Sequence, residues 1–468
     1  MKKRFLAPVR FLRLDMIRYQ LSKSLFFVPF LLVTFSLVLS QVTVWFDRQT
    51  GSEVLPVWFE STVESSRAIL PAIAGGTITA ASIVFSLTLV AVQLAASQFS
   101  PRLLRGFLSD RFQQVVMGTV VGTFSYSLFV LREVRKASEG SRDAFLPQVS
   151  ITVALVLAVL SLIAVLASID HTAKGLRVGK VADDVLETTL ETVRRLFELR
   201  TSDAASTMVI DAPGLSPGAH SRHAETFVPD IPPDARIIEA PSSGWVTGLQ
   251  AETVCEVLPE GATAVISAAV GIYVVRGTPI AYVWSDDERM QDEDFVAFVE
   301  ELTSIVRIEA SRTMQQDVAF GILQLNDIAL RALSPGVNDP NTANEIVVRL
   351  GAVVTEIYRR DLASAVMRSD GKTVIRSTDP TYGAYVDLAF EPTRRHGRND
   401  PRVLEVIART IHSVIDDAER RFDDPLVEPL LDQIRLMESE LDQLATEADR
   451  ERVQLAITDI LDRPGARE

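Results

Sequence analysis

The sequence predicts an α-helical membrane domain of four transmembrane helices, followed by a cytosolic α+β domain that contains a small β-barrel or sandwich and helices. Three observations carry this expectation. Residues 24–46, 68–101, 112–131 and 144–169 contain no Asp, Glu, Lys or Arg, and each supplies the roughly 20 apolar residues that a ~30 Å hydrocarbon core requires. Mean hydropathy is +0.19 although 23 % of the residues are charged, so the apolar residues are concentrated rather than spread. The formal charge of −14 is also divided, with residues 1–180 net basic and the remainder strongly acidic. At 468 residues the chain exceeds the usual size of one compact domain.

Residues 1–24 mix Phe5, Leu6, Phe11, Leu12, Met16 and Ile17 with spaced arginines, the composition of a basic helix lying in the headgroup region. The first apolar interval is longer than a signal-peptide core and ends in "VTVWFDRQ" without a small-residue cleavage site, so an uncleaved anchor is expected. The membrane domain is placed over residues 25–170, with spans at about 25–46, 69–97, 113–131 and 148–169. Basic residues precede the first span (Lys2, Lys3, Arg4, Arg10, Arg13, Arg18, Lys23), join the second to the third (Arg102, Arg105, Arg111) and follow the fourth (Lys174, Arg177, Lys180). The positive-inside rule then puts both termini in the cytoplasm. The only cysteine, Cys255, permits no intrachain disulfide and reads as a small buried hydrophobe.

A connecting helix is expected over 171–200 and a Pro-, Gly- and Ser-rich linker over 201–234. Short β-rich runs such as "TAVISAAV" and "GIYVVRGTPIAYVW" predict a small barrel-like module over 235–290. After Lys180 the only lysine is Lys372, so the module lacks the hairpin lysine of a swinging-arm carrier. Residues 291–468 read as mainly helical and end in an a/d seam through Leu430, Ile434, Met437, Leu441, Leu444 and Ala448.

The second span raises the functional question. Gly75, Thr79, Ser82, Ser86, Gln93 and Ser97 fall along one side of a helix as a small and polar stripe. Two accounts remain open. Hydroxyls and glycines allow close helix packing, each hydrogen bond contributing about 0.6 to 2 kcal/mol, or copies of the helix surround an axis and the stripe wets a pore. Gln98, Arg102 and Arg105 would then stand at a cytoplasmic mouth, where the arginines would favour anions. In the third span, Gly118, Gly122 and Ser125 have the spacing that brings helices together.

With the spans, "VFSLTLVAVQLAASQFSPRLLRGF", "DVAFGILQLNDIALRALSPGVNDPNTA" and "SSGWV" in view, nearly the whole chain resembles a family of predicted bacterial membrane proteins catalogued as domain of unknown function 2254. The resemblance implies a protein of the bacterial cytoplasmic membrane and brings no catalytic residues with it.

The chain has no phosphate loop, Rossmann glycine fingerprint or G-x-S-x-G elbow, and its five histidines show no metal-ligand grouping beyond His220 and His223, a pair in the Pro- and Gly-rich linker that reads as a solvated loop. No catalytic residue, metal site or cofactor is expected. Asp327, Arg331, Ser334, Asn338, Asp339 and Asn341 form one polar loop, read either as a turn with helix caps or as a site for a small ion or ligand. The acidic C-terminal part speaks against nucleic acid. The expected partners are the lipid bilayer and further copies of the chain, since the stripe and the C-terminal seam call for neighbours. The leading functional expectation is an oligomeric channel or transport-type protein with a cytosolic gating or sensing domain. The alternative is a membrane-anchored scaffold or signalling protein that conducts nothing.

Overall fold

The computed structural model describes residues 27–50, 62–98, 102, 110–134, 145–175, 177–200, 230–285, 292–362, 366–369, 371–376, 378–422 and 426–462. The expected interfacial helix over 1–24 and most of the expected linker over 201–234 lie outside the described residues. Contacts divide the chain into two compact units, Met1–Lys180 and Val181–Glu468.

The first unit contains α1 (Phe27–Thr50), α2 (Val63–Gln98), α3 (Arg111–Glu133) and α4 (Gln148–Gly175). All four are long and apolar enough to cross a membrane. Their outward residues include Phe30, Phe35, Ile83, Phe85, Leu162 and Leu166, all exposed on this unit. A helix that is apolar on its exposed side requires an apolar solvent, and a bilayer supplies one. α3 packs against each of the other three. α2 runs for 36 residues, a length of about 54 Å at ~1.5 Å per residue, well beyond a ~30 Å core. Inside the bundle, Ala81, Val84, Val116, Val120 and Val165 form one dry layer, and Leu70, Tyr126, Val130, Ile151 and Ala154 form a second.

The second unit opens within the strongly amphipathic α5 (Val178–Leu196), whose Val181, Ala182, Val185, Thr189 and Val193 are buried. Three strands and a short helix follow in the order β1 (Glu198–Leu199), β2 (Arg236–Glu239), β3 (Gly244–Gly248) and α6 (Ala251–Val257). Next come β4 (Ala262–Ile266), β5 (Tyr273–Val274), β6 (Pro279–Ser285), α7 (Asp292–Ile305) and β7 (Arg307–Glu309). The helical layer begins with α8 (Val318–Ala332) and α9 (Pro340–Tyr358). Then come β8 (Arg360–Asp361), β9 (Val366–Ser369), β10 (Lys372–Arg376), α10 (Tyr382–Gly397), α11 (Pro401–Arg421), α12 (Glu428–Glu440) and α13 (Glu447–Leu461). α9 packs against α8, α10 and α11, and Val347, Leu350, Val354, Ile407 and Ile411 are fully buried among them. Pro340 and Pro401 occupy first-turn positions behind the capping residues Asp339 and Asp400, as proline without an N–H allows.

Two expectations need correction. Of the expected small barrel or sandwich, the described strands form no closed barrel but two sheets, β2-β6-β4-β10-β9 and β5-β3-β7, beside the short β1-β8 pair. β4 pairs in parallel with β10, which lies far downstream. A single apolar core joins Ile238, Val246, Ile266, Ile280 and Val283 to Phe298 and Leu302 of α7 and Val374 of β10. Strand spacing in the sequence marks the strands but carries no record of such a distant partner. The C-terminal seam is also broken. Helix α12 gives way to a 3-10 turn at Leu441–Gln443 before α13 starts. Leu430, Ile434, Met437, Leu441 and Leu444 are buried inside the chain and only Ala448 is exposed, so this seam asks for no second copy.

Candidate functional site

The stripe on α2 lies on the outside of the helix bundle. Gly75, Thr79, Ser82, Ser86 and Gln93 are exposed, whereas Leu70, Ala74, Thr77, Ala81, Val84, Ala91 and Ala95 on the opposite face are buried. At ~100° per residue the two sets point in opposite directions. The Thr79 hydroxyl donates to the Gly75 carbonyl at 2.8 Å and the Ser82 hydroxyl to the Ile78 carbonyl at 3.0 Å. A Cβ added at Gly75 or Gly76 would meet nothing within 4 Å. Ile78, Ile83, Phe85, Leu89, Val90 and Leu94 flank or interrupt the stripe and are also exposed. Arg102 sits in a turn and is exposed; the side chains of Ser97 and Gln98, and the whole of Arg105, lie outside the described residues.

The close helix contact is made by a different pair of faces. A Cβ at Gly118 would come within 2.6 Å of Leu32 Cδ1 and 2.9 Å of Pro29 Cα, and one at Gly122 within 2.5 Å of Ser36 Oγ. The glycines of α3 therefore receive α1, and Ser125, one turn on, is half-buried with its hydroxyl donating to Val121 O at 2.9 Å. The facing side of α1 presents Ser36, Ser40, Thr43 and Asp47, all buried. Sequence reasoning passed over these four, although their spacing of four, three and four residues repeats the start of the α2 stripe. The signal was the same and only the partner differed.

At this end the interface closes on a hydrogen-bonded cluster. Thr43 Oγ1 and Tyr126 Oη are 2.8 Å apart, and the phenol also donates to the Ser150 carbonyl at 3.1 Å. Asp47 accepts from Val149 N at 2.9 Å, Ser150 N at 3.0 Å and Ser150 Oγ at 2.6 Å. A carboxylate carried by α1 thus caps the start of α4, where unpaired N–H groups and the helix dipole favour negative charge. Midway along the bundle Thr123 and Ser161 pair through their hydroxyls at 2.8 Å.

At the opposite end, side chains from α2, α3 and α4 meet. Asp110 caps α3, its Oδ1 accepting from Phe112 N at 2.9 Å, while its Oδ2 lies 2.7 Å from His171 Nε2 on α4. One turn inward, Gln113 Nε2 donates to Thr88 Oγ1 at 2.5 Å and Gln113 Oε1 accepts from Ser168 Oγ at 2.9 Å. A cavity of about 50 Å³ opens here, lined by Thr88, Ala91 and Val92 of α2, Asp110 and Gln113 beside it, and His171, Thr172 and Gly175 of α4. The volume suits one or a few water molecules. His171 and Asp110 were not singled out from the sequence as a pair, because 61 residues separate them.

In the second unit, the polar loop folds as a turn and a cap. Asp339 accepts from Asn341 N at 3.1 Å, Thr342 N at 3.2 Å and Thr342 Oγ1 at 2.5 Å. The Thr342 hydroxyl and the two backbone N–H groups hold its carboxyl below the usual carboxylate range. Ser334 donates to Arg331 O, Asn338 adopts a left-handed φ of 50°, and Asp327 and Arg331 lie on α8. Among the described residues no three His, Cys, Asp or Glu side chains gather as a metal site would require.

Comparison with known proteins agrees with the membrane reading. The family model described as "Predicted membrane protein (DUF2254)" matches residues 22–413. An uncharacterized protein of Mycobacterium bovis and one of Mycobacterium tuberculosis are each 32 % identical to the chain over 437 residues, covering 92 % of it and 78 % of their own length. No solved structure matches.

Proposed function

The chain belongs to the DUF2254 family of predicted membrane proteins, and from that premise we propose that several copies assemble through the outer face of α2 into a channel or transport-type protein of the bacterial cytoplasmic membrane. The observation that carries this reading is the outward polar flank Gly75, Thr79, Ser82, Ser86 and Gln93, set opposite the apolar face that builds the core. Val84, Val116, Val120 and Val165 fill one layer of the bundle interior, which favours a polar path between copies over one through a single copy. Neutral hydroxyl and amide oxygens on such a path would replace part of an ion's hydration shell. Arg102, in the turn beyond α2, and Arg105, three residues further along the sequence, would favour anions. The excess of basic residues before the first span and after the fourth supports cytoplasmic termini, and the acidic second unit then serves as the gating or sensing part, its ligand unidentified.

A second reading rests on one specific observation. Thr79 and Ser82 satisfy their hydroxyl groups on their own helix, which also suits a dry helix contact in a scaffold that conducts nothing. Reconstitution separates the two. Protein in liposomes should dissipate a chloride or potassium gradient, Ser82→Leu should abolish the flux, and Arg102→Ala with Arg105→Ala should lower anion preference. A purified oligomer that leaves both gradients intact supports the scaffold.

A further inference from the structure

We propose that the turn at residues 272–276 is a lipid-contacting tip that seats the second unit on the surface of the bilayer. Ile272, Tyr273 and Val275 are 40 %, 51 % and 54 % exposed, three bulky apolar side chains within four positions, and Arg276 beside them is exposed as well. Val274 between them is buried in the core of the sheets, because successive residues of a strand point to opposite faces. The Tyr273 ring meets Trp245 of the neighbouring strand edge-on, with centroids 5.4 Å apart and planes at 80°. Backbone hydrogen bonds hold the turn in shape. Gly271, at φ 88°, donates from its N to Val246 O at 2.8 Å, and Arg276 N donates to Ser243 Oγ at 2.9 Å. Thr278 donates to Val275 O from its N at 3.0 Å and from its Oγ1 at 2.7 Å. A fixed scaffold therefore presents the apolar side chains outward, with little ordering left to be done on binding.

Composition, charge and reach identify the occupant. Tyr and Trp collect at the boundary between hydrocarbon and headgroups, where the aromatic body rests on acyl chains and the polar end meets water. Within the acidic second unit, residues 261–285 contain no Asp or Glu, and Arg276 is their one charged residue. The tip is thus spared the repulsion that anionic headgroups exert on carboxylates, and its arginine is attracted to them. Glu309 continues the row of Tyr273 and Trp245 across the sheet, on the far side of Trp245 from the turn. The membrane-crossing helices end with α4 at Gly175, and the second unit begins at Val181. That connection reaches at most about 20 Å when fully extended, which keeps the second unit beside the bilayer. An interfacial segment sinks about 5 to 10 Å into the headgroup boundary, a depth that the side chains of the tip can fill.

The seat is independent of conduction, and its test uses the full chain in vesicles of phosphatidylcholine and phosphatidylglycerol. In a Cys255→Ala background, Ile272→Cys or Val275→Cys carries an environment-sensitive nitrobenzoxadiazole dye. Val296→Cys on α7 and Leu455→Cys on α13, both exposed positions, carry it as references. Phosphatidylcholine with a nitroxide on its headgroup or upper acyl chain should quench the dye at the tip about threefold or more over either reference. Val275→Asp should remove the excess quenching at Ile272→Cys while circular dichroism and Tm stay as in the parent. Equal quenching at tip and reference positions, or excess quenching that survives Val275→Asp in a folded chain, overturns the proposal. So does a blue-shifted dye at Val275→Cys that spin-labelled lipid fails to quench, since a second copy or another protein then covers the tip. Vesicles that hold their ion gradients would count against the channel and leave the seat standing.

Discussion

Asp47 shows how much one side chain can organise in this bundle. It is 6 % exposed and accepts three hydrogen bonds from the first turn of α4, across 102 and 103 residues of sequence. Asp47→Ala would strand two backbone N–H groups and the Ser150 hydroxyl, at a cost of about 2 to 4 kcal/mol. Thermal unfolding of the detergent-solubilised chain should register it as a clear fall in Tm, with Asp47→Asn between the two. Asp417 makes a residue-scale prediction about pH. Arg359 donates to both of its oxygens at 2.9 Å and Arg421 adds another bond at 3.0 Å, holding its carboxyl below the ordinary range. A carboxylate with a lowered folded value contributes stability that is complete above its unfolded value and is lost as pH falls through the folded one. Acid unfolding of the chain should therefore be shallower with Asp417→Asn, and a superimposable acid limb would reject the assignment. Neither role was legible beforehand: Asp47 reads as the polar end of a span and Asp417 as one acid among many, because their partners are tertiary.

Helix faces were only half legible. The 3.6-residue period groups the residues of α2 and α3 by side, but a period does not say toward what that side turns. Ser36, Ser40, Thr43 and Asp47 on α1 face the Gly118 and Gly122 surface, while the similarly spaced residues of α2 face outward. Small side chains suit both a tight interface and a wet one, so composition alone leaves the choice open. The contact between α1 and α3 supports a compensation experiment. Gly122→Ala brings a methyl to 2.5 Å from Ser36 Oγ and should lower Tm, and adding Ser36→Gly should recover most of the loss. Gly118→Ala meets the Pro29 backbone at 2.9 Å and has no such remedy. If Ser36→Gly merely adds its own destabilisation, the two helices do not pack as described.

For the molecule as a whole, the division into an apolar helical part and a mixed second part was legible because bilayer solvation imposes long uncharged runs. The arrangement of the second part was not, because its sheet is assembled from strands at both ends of a helical insertion. A fragment of residues 181–468 should fold in water as a cooperative unit, whereas residues 235–290 alone should not. They lack β10, β9 and the α7 side chains that complete the core. Circular dichroism and amide exchange on the two fragments would check this, and a stably folded 235–290 fragment would show the insertion to be dispensable.

The parallel pairing of residues 263–266 with 373–376 also sets a timetable for biosynthesis. At about 5 to 20 residues per second, a ribosome needs roughly 5 to 20 s to deliver the later strand after the earlier one. During that interval β4 has an open edge able to join any passing strand. A nascent chain of this protein would thus depend on holdase protection most heavily just before residue 376 emerges, and arrest of translation within that window should yield the species most prone to aggregate.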